Sequence, residues 1–404
     1  MSTTYAYKVR DSTGKFVEGK VDAASEAAVA DKLRTMGYHP LEVKATNTGM
    51  QREVNIGFRK RVKLKDLAVF SRQFATMIDA GLTMLRGLTI LSEQAENPEL
   101  GRVLKLVRQD VEAGQSLSSA FARHPDAFPK LMVSMTRAGE AGGFLDVAMR
   151  QIADNFEAEV KLRSKIKAAM TYPVVVFVLA ILMCVGMLVF VVPVFEGMFA
   201  DLGGELPLPT QMLVVLSQAM RFLLPGLIVL TVAGMVAWRR YGKTARVRKV
   251  VDPLKLRMPV FGKLFSKIAL ARFARNLGTL LSSGVPILQS LDIVAETTGT
   301  TVIARALEDV RESVRRGESI AGPLAGHEVF PPMVVQMVAS GEETGAIDQM
   351  LQKIAEFYDG EVEATTEALT ALIEPLMIAF LGGIVGSMII ALYMPIFKVF
   401  ELIG

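Results

Sequence analysis

Two short segments of the chain place a glutamate between glycines, Gly139-Glu140-Ala141-Gly142-Gly143 and Gly341-Glu342-Glu343-Thr344-Gly345. A carboxylate in such a turn could bind a cation or contact a partner protein. The structural alternative is an interhelical turn whose glycines adopt positive φ, with the glutamate at the N-terminus of the next helix, where its charge suits the dipole. The pattern favours this alternative for Gly139, Glu140, Gly143, Gly341, Glu342 and Gly345, and contact of the glutamates with a partner or a cation stays open.

Two other segments resemble catalytic loops only in part. Tyr241-Gly242-Lys243-Thr244 lacks the earlier glycine of a phosphate loop, because Ala237 stands there, and no strand precedes it. Gly317-Glu318-Ser319-Ile320-Ala321 lacks the closing glycine of a hydrolase elbow. We interpret it, like Gly114–Ser118, as a glycine that ends one helix and a serine that caps the next.

Histidine and cysteine chemistry is not indicated either. Each of the three histidines stands far from a second His or Cys, and His124 and His327 occupy equivalent turns. The single cysteine, Cys184, excludes an intrachain disulfide and a cysteine-rich metal site. The sequence therefore predicts no catalytic residue, no metal site and no cofactor.

The chain is organised around an uncharged apolar stretch at 168–195. It exceeds the roughly 20 residues that an apolar helix needs to cross a bilayer. Lys161, Arg163, Lys165 and Lys167 precede it, whereas Glu196 and Asp201 follow it, so the preceding side is predicted to be cytoplasmic. The first residues, MSTTYAYKVR, are polar, and no cleaved signal peptide is expected.

A second apolar segment, 212–237, contains Arg221 and Pro225 and leads into a dense basic cluster at 239–249. That cluster predicts a return to the cytoplasm. Arg221 either snorkels at the outer interface or is buried against a partner. The net charge of +4 is better explained by membrane orientation than by nucleic-acid binding, and the mean hydropathy of +0.37 indicates soluble modules tied to a membrane.

An internal repeat decides the predicted architecture. Two parts of the chain align at one offset, which pairs Phe70, Gly81, Gly114 and His124 with Phe273, Gly284, Gly317 and His327. The second copy then lacks one residue, and the alignment continues by pairing Gly139-Glu140, Pro173 and Pro193 with Gly341-Glu342, Pro375 and Pro395. A helical bundle and its membrane helix are thus duplicated, and the middle span returns the chain between them. Parallel repeats of this kind count against an inverted-repeat transporter.

The predicted fold class is mainly α, a polytopic membrane protein with two repeated cytoplasmic helical bundles, three transmembrane helices and a small N-terminal ββαβ module. Alternating Tyr5, Tyr7 and Val9, a turn at 11–14 and a helix from Ser25 to Gly37 indicate that module. The predicted boundaries are 1–46 for the module, 47–63 linker, 64–168 bundle 1, 169–195 transmembrane helix 1, 196–211 external loop, 212–238 transmembrane helix 2, 267–372 bundle 2 and 373–397 transmembrane helix 3.

Residues around the first membrane helix resemble a known signature. The signature consists of Lys165-Ile166, Ala169-Met170, Tyr172-Pro173 and Val191-Val192-Pro193. It resembles that of the inner-membrane platform proteins of type IV pilus assembly and type II secretion, the PilC and GspF family. The resemblance covers nearly the whole chain, including Pro375 and Pro395. It implies a non-enzymatic, oligomeric protein of the bacterial inner membrane, with its N-terminus cytoplasmic and its C-terminus external.

The same resemblance implies the partners and the task. The partners would be a cytoplasmic hexameric assembly ATPase, pilin or pseudopilin subunits and other inner-membrane assembly proteins, and no nucleic acid. The task would be to couple the ATPase to insertion or extraction of pilins. Ile373-Glu374-Pro375-Leu376 and Met394-Pro395-Ile396-Phe397 look more like the pilus branch. Platform protein F of a type II secretion system is the alternative. A small-solute transporter is the second alternative, and it would need polar groups at mid-bilayer depth, for which Arg221 is the one candidate.

Overall fold

The structure is a computed structural model that describes residues 3–10, 16–23, 25–35, 38–45, 61–201, 206–242, 244–259 and 261–403. The chain divides into two compact units, Met1–Lys60 and Arg61–Gly404. The predicted turn at 11–14, the predicted helix end at Gly37 and the greater part of the predicted linker, 47–60, lie outside the described residues.

The first unit contains a three-stranded antiparallel sheet and one helix. Its elements are β1 (Thr3–Arg10), β2 (Phe16–Ala23), α1 (Glu26–Thr35) and β3 (His39–Ala45), and the strand order is β2-β1-β3. Val9 of β1 is buried with Val29 and Leu33 of α1. Tyr5 and Tyr7 pack against the same cluster, because alternate residues of a strand share one face.

The second unit contains two copies of a six-helix arrangement. The first copy consists of α2 (Leu64–Asp79), α3 (Met84–Gln94), α4 (Pro98–Glu112), α5 (Leu117–Ala122), α6 (Lys130–Gly142) and α7 (Leu145–Gly186). Two helices, α9 (Leu208–Tyr241) and α10 (Ala245–Arg257), separate it from the second copy. That copy consists of α11 (Phe261–Ser282), α12 (Ile287–Thr297), α13 (Thr301–Arg315), α14 (Ala321–Ala325), α15 (Pro332–Thr344) and α16 (Ile347–Ile403).

The two copies match in their helix bounds. The pairs α3 and α12, α4 and α13, and α6 and α15 have equal lengths of 11, 15 and 13 residues. Even the caps correspond, since the side chains of Asn97 and Thr300 accept hydrogen bonds from Glu99 N and Val302 N. The internal repeat predicted from the sequence is confirmed.

One continuous apolar core runs through both bundles. In the first copy the rings of Phe70 and Phe74 stack with their centroids 5.5 Å apart, and the tilted rings of Phe121 and Phe128 have centroids 4.2 Å apart. In the second copy the rings of Phe273 and Phe330 meet edge to face. Buried side chains at helical spacing therefore fix each bundle internally and join it to the other.

Among the residues that the structure describes, three helices are long and apolar enough to cross a membrane: Leu145–Phe199, Leu208–Tyr241 and Ile347–Pro395. The first of them combines α7 with a π-helical turn, Met187–Val191, and with α8 (Val192–Asp201). The chain is helical up to Asp201, so part of the segment predicted as an external loop belongs to a helix. No break separates bundle helix from apolar segment in either α7 or α16.

The helix α10 is an element that sequence reasoning missed. It packs against α11 and α13, and its Asp252 accepts a hydrogen bond of 3.1 Å from Thr301 N at the start of α13. In sequence, its basic residues indicate only a membrane flank. The charges of a short helix on a bundle and those of a membrane flank look alike in sequence.

Candidate functional site

The two glutamates of the repeated turns each bind the N-terminus of a short helix. Glu140 lies in the last turn of α6 and accepts hydrogen bonds from Leu117 N and, at 3.0 Å, from Ser118 N of α5. Glu342 does the same for α14, with 2.8 Å to Ile320 N and 3.3 Å to Ala321 N. A carboxylate that accepts two backbone N–H groups stabilises the helix end and fixes the turn.

The sequence-based prediction for these glutamates was wrong in one respect. It placed each at the N-terminus of the following helix, whereas each caps the helix that precedes its own. The reason is that α6 and α15 continue through the Gly-Glu pair and end later. Within the described residues, no group of three or more His, Cys, Asp or Glu could hold a metal ion.

The glycines of these turns have two different tasks. Gly143 and Gly345 end α6 and α15 with φ of 76° and 70°, a conformation that favours glycine. Gly139 and Gly341 are helical, and they allow close approach of the next helix. A Cβ on Gly139 would lie 2.6 Å from Ala148 Cβ, and one on Gly341 would lie 2.9 Å from Ile347 Cα. The turns therefore set the angle at which α7 and α16 leave the bundles.

A polar contact joins α7 of the first copy to α11 of the second. Asn155, only 5 % exposed, donates to Asn276 Oδ1 at 3.3 Å and to Thr279 Oγ1 at 3.1 Å. Glu159 lies 2.6 Å from an amino nitrogen of Arg272 and 3.7 Å from Arg275. Breaking a largely buried ion pair of this kind leaves an uncompensated charge, so the contact holds the bundles in one arrangement.

The ion network continues to α16. Arg275, which is buried, pairs with Asp359 of α16 as well as with Glu159 of α7. An analogous pair exists in the first copy, where the guanidinium of Arg72 donates to Glu157 and Asp154. Hydrogen bonds to these two carboxylates raise the pKa of Arg72 above its ordinary value.

Closer to the apolar segments, α7 and α16 lie side by side and run in the same direction. Lys165 of the family signature pairs with Glu363, and further along the rings of Phe177 and Phe380 are 6.5 Å apart. Tyr172 is exposed, whereas Pro173 is buried within α7. The equivalent Pro375 is exposed. Both prolines lie inside their helices, α7 and α16, so neither proline ends its helix.

The prolines near the far ends of the two equivalent spans free backbone carbonyls. Pro193 has no N–H, and the helix before it widens into the π-helical turn Met187–Val191. The carbonyl oxygen of Leu188 in that turn accepts a hydrogen bond of 2.5 Å from Ser217 Oγ of α9. Pro395 likewise removes the helical partner of the Ala391 carbonyl, which accepts a hydrogen bond of 2.6 Å from Thr210 Oγ1 of α9.

The middle span is therefore tied to both repeated spans by hydroxyl groups. The buried cluster around these bonds contains Leu188, Val192, Leu213, Val214, Met388, Ala391 and Leu392, contributed by all three spans. Ser and Thr side chains commonly satisfy carbonyls that proline frees in membrane helices. Sequence reasoning missed Ser217 and Thr210, although a hydroxyl in an apolar helix opposite a proline is a usable signal.

These features define a class of protein. Two equivalent helical bundles hold two long helices in parallel, and a third apolar helix ties their ends together, as in an integral membrane scaffold. The comparisons with known proteins agree. The chain belongs to the family described as Type II secretion system (T2SS), protein F, which it matches at residues 70–193 and 273–395, and residues 1–44 match that family's N-terminal domain.

Named relatives of this chain fall into two groups. The Type IV pilus assembly protein PilC of Thermus thermophilus is 46% identical and that of Myxococcus xanthus 44% identical, each over 98% of this chain and over 98% and 94% of those proteins. The Type II secretion system protein F of Vibrio cholerae is 32% identical over 99% of both chains. Both groups span essentially the whole sequence.

Proposed function

We propose that this chain is the inner-membrane platform protein of a type IV pilus assembly machine. The support is its similarity over its full length to proteins named for type IV pilus assembly, at higher identity than to the secretion protein described above. In this role the protein carries out no reaction of its own. It connects a cytoplasmic assembly ATPase to pilin subunits in the membrane, together with other inner-membrane assembly proteins.

The proposed topology places both bundles and the N-terminus in the cytoplasm and the C-terminus outside. Lys161, Arg163, Lys165 and Lys167 precede the first apolar segment, and Arg239 and Arg240 lie in the last turn of α9. Basic flanks favour the cytoplasmic side. The parallel course of α7 and α16 supports the same direction for the first and third spans.

The observation that carries the mechanism is the continuity of the two long helices. Leu145–Phe199 and Ile347–Pro395 each run from a bundle turn into an apolar segment without an intervening loop. The ATPase would rotate or tilt the cytoplasmic bundles, and these helices would carry the movement to a pilin in the bilayer. The hydroxyl bonds from Ser217 and Thr210 make the three apolar helices move together.

Deletion with complementation tests the proposed function. A strain that lacks this chain should lose surface filaments, regain them with the intact gene and still release its exoproteins. Purification of the full chain from membranes under mild crosslinking should recover a hexameric ATPase. Retained filaments together with accumulation of exoproteins in the periplasm would instead assign the chain to type II secretion, the second candidate, which the 32% identical relative supports.

A further inference from the structure

The contact between the two bundles is head to tail, because each copy contributes a different face. The first copy contributes α6 and α7, and the second contributes α11, α12 and the facing side of α16. By the repeat, α11 and α12 correspond to α2 and α3, whereas α6 and α7 correspond to α15 and α16. One further copy of each face therefore exists in the chain, on α2 of the first bundle and on α16 of the second.

These two surfaces can be defined by the counterparts of the contacting residues. The groove face consists of Val69, Gln73, Thr76 and Ala80, which correspond to Arg272, Asn276, Thr279 and Ser283. The ridge face consists of Lys353, Phe357 and Glu361, which correspond to Gln151, Asn155 and Glu159. In the described structure every residue of the groove face is exposed, and so are Lys353 and Phe357.

Burial at matched positions shows what the internal contact covers. Asn155 is 5 % exposed because it lies against α11, while its counterpart Phe357 is 50 % exposed. Val69 is 48 % exposed, whereas its counterpart Arg272 forms an ion pair with Glu159 of α7. A single exposed apolar side chain is ordinary, but here one lies on each of two faces that correspond to a formed interface.

The groove face carries two depressions at the places that α7 fills on the second bundle. One, of about 590 Å³, is lined by Val69, Gln73 and Gln94 among others, and Asn276, the counterpart of Gln73, binds Asn155 of α7. The other, of about 410 Å³, includes Val160, whose counterpart Val362 is covered by Leu162 of α7. The first bundle thus has vacant space where the second bundle is occupied.

The register of the internal contact can be transferred to two chains. Gln151 meets Ser283, Asn155 meets Asn276 and Thr279, and Glu159 meets Arg272 and Arg275. The same register puts Lys353 at Ala80 beside Asp79, Phe357 at Gln73 and Thr76, and Glu361 at Val69 beside Arg72. Both resulting charge pairs, Lys353 with Asp79 and Glu361 with Arg72, are of opposite sign. Within one chain the same four groups pair with Glu356, Arg150, Lys267 and Glu157, so docking exchanges or shares these ion pairs.

We propose that a second copy of this chain docks its ridge face onto the groove face of the first. The contact is heterologous, so it can close into a ring or continue as an open array. Because α7 and α16 run in parallel, repeating the operation that relates the two bundles keeps the spans of each added chain in the same direction. The inference deepens the proposed function and rests on it only in placing both chains in one membrane.

One internal ion pair is not repeated between chains. Lys130 pairs with Glu296 at 2.5 Å, and Pro332 stands at the position that corresponds to Lys130. The contact between chains therefore has fewer ion pairs than the contact within one chain, which suits a reversible assembly.

Disulfide formation in the full-length chain, in native membranes, tests this contact. In a Cys184→Ser background, Lys353→Cys and Ala80→Cys together should give a ladder of covalent dimers, trimers and higher species upon oxidation. Oxidation conditions are first set with the matched internal pair Gln151→Cys and Ser283→Cys, whose wild-type side chains are hydrogen bonded. Chains carrying only one of the two changes should give no product alone and only dimers when mixed.

The aromatic anchor provides a graded readout. Phe357→Ala in the double-cysteine chain should lower the crosslink yield about tenfold, as expected for an interface anchor. Phe265→Ala is the control. Phe265 is an exposed phenylalanine on α11, and it belongs neither to the groove face nor to the ridge face. Equal losses for the two changes would contradict an anchoring role for Phe357.

Three results would overturn the proposal. They are self-crosslinking of the chain with Lys353→Cys alone, absence of any product between chains, and capture at Lys353→Cys of a different protein in place of a second copy. If crosslinks are absent while the same chain restores filaments to a deletion strain, the docking surface is wrong and the proposed function stands. If the ladder forms but filaments do not depend on the chain, the proposed function is wrong.

Discussion

Thr210 of the middle span donates a hydrogen bond of 2.6 Å to the carbonyl oxygen of Ala391 in the third. In an uninterrupted helix that carbonyl would accept from the residue four positions on, which is Pro395 and has no N–H. The proline therefore creates the acceptor, and the neighbouring helix supplies the donor. In the first span Ser217 donates to the Leu188 carbonyl, which the π-helical turn shifts to face Pro193, five positions on.

Replacing Thr210 by valine should destabilise the folded protein because it leaves this carbonyl without a donor. We expect a loss of about 1 kcal/mol, in the range of interhelical hydrogen bonds within membranes. Thr210→Ser retains the hydroxyl and should lose less than half as much. Unfolding of the full-length chain in detergent measures both, and equal losses for the two variants would show that the methyl group and not the bond matters.

Glu140→Gln should weaken the elbow between α6 and α7. The amide has no charge to offer the two N–H groups of α5, and we expect a loss of about 1–2 kcal/mol. Glu343→Gln is the matched control, because Glu343 is an exposed neighbour of the equivalent glutamate. The same unfolding measurement distinguishes them, and a Glu140→Gln protein as stable as the control would refute the capping role.

Glycine substitutions should have opposite signs at two positions. Gly143→Ala forces a Cβ into φ of 76° and should cost about 1 kcal/mol. Gly360 lies inside α16 with open space around it, so Gly360→Ala should stabilise the helix by about 0.5–1 kcal/mol. Midpoints of thermal unfolding for the two variants should therefore move in opposite directions, and a shift in the same direction would contradict the assigned conformations.

The exposed pair of Arg72 and Glu157 should make a small, pH-dependent contribution to stability. The hydrogen bond from Arg72 lowers the pKa of the Glu157 carboxyl below its ordinary value. The contribution is complete above that ordinary value of about 4.5 and disappears as the pH falls through the lowered pKa of the folded state. Because the pair is solvent-exposed, its size should remain below about 1 kcal/mol.

Comparison of the intact protein with Arg72→Gln over a pH series measures this contribution. The difference in free energy of unfolding should be largest near neutral pH and should vanish in acid. A difference that grows in acid would contradict the sign of the pKa shift.

Local features of this fold could be predicted from the sequence, and contacts between distant segments could not. Gly143, Gly345 and the proline-containing apolar stretches are recognisable because glycine, proline and hydrophobic runs act within one turn or one helix. The repeat made the second bundle predictable from the first.

The contacts that the sequence did not predict were missed for a common reason. Glu159 is one of many charges on amphipathic helices, and only the packing of α7 on α11 selects Arg272 as its partner. Ser217 is likewise an ordinary helix residue until Pro193 frees a carbonyl opposite to it. The sequence did not predict that Glu140 caps α5, because the end of α6 depends on where α7 packs, and the local pattern does not contain that information.

The most direct test of the account concerns the continuity of α7 with its apolar segment. A flexible Gly-Ser insertion after Ala158 uncouples the first bundle from the span, and the same insertion after Gly242, in the turn between α9 and α10, serves as the matched control. Surface filaments are counted in a deletion strain that carries either chain at equal membrane abundance. Filaments should disappear with the insertion after Ala158 and persist with the control, whereas normal filament numbers with both would contradict transmission through this helix.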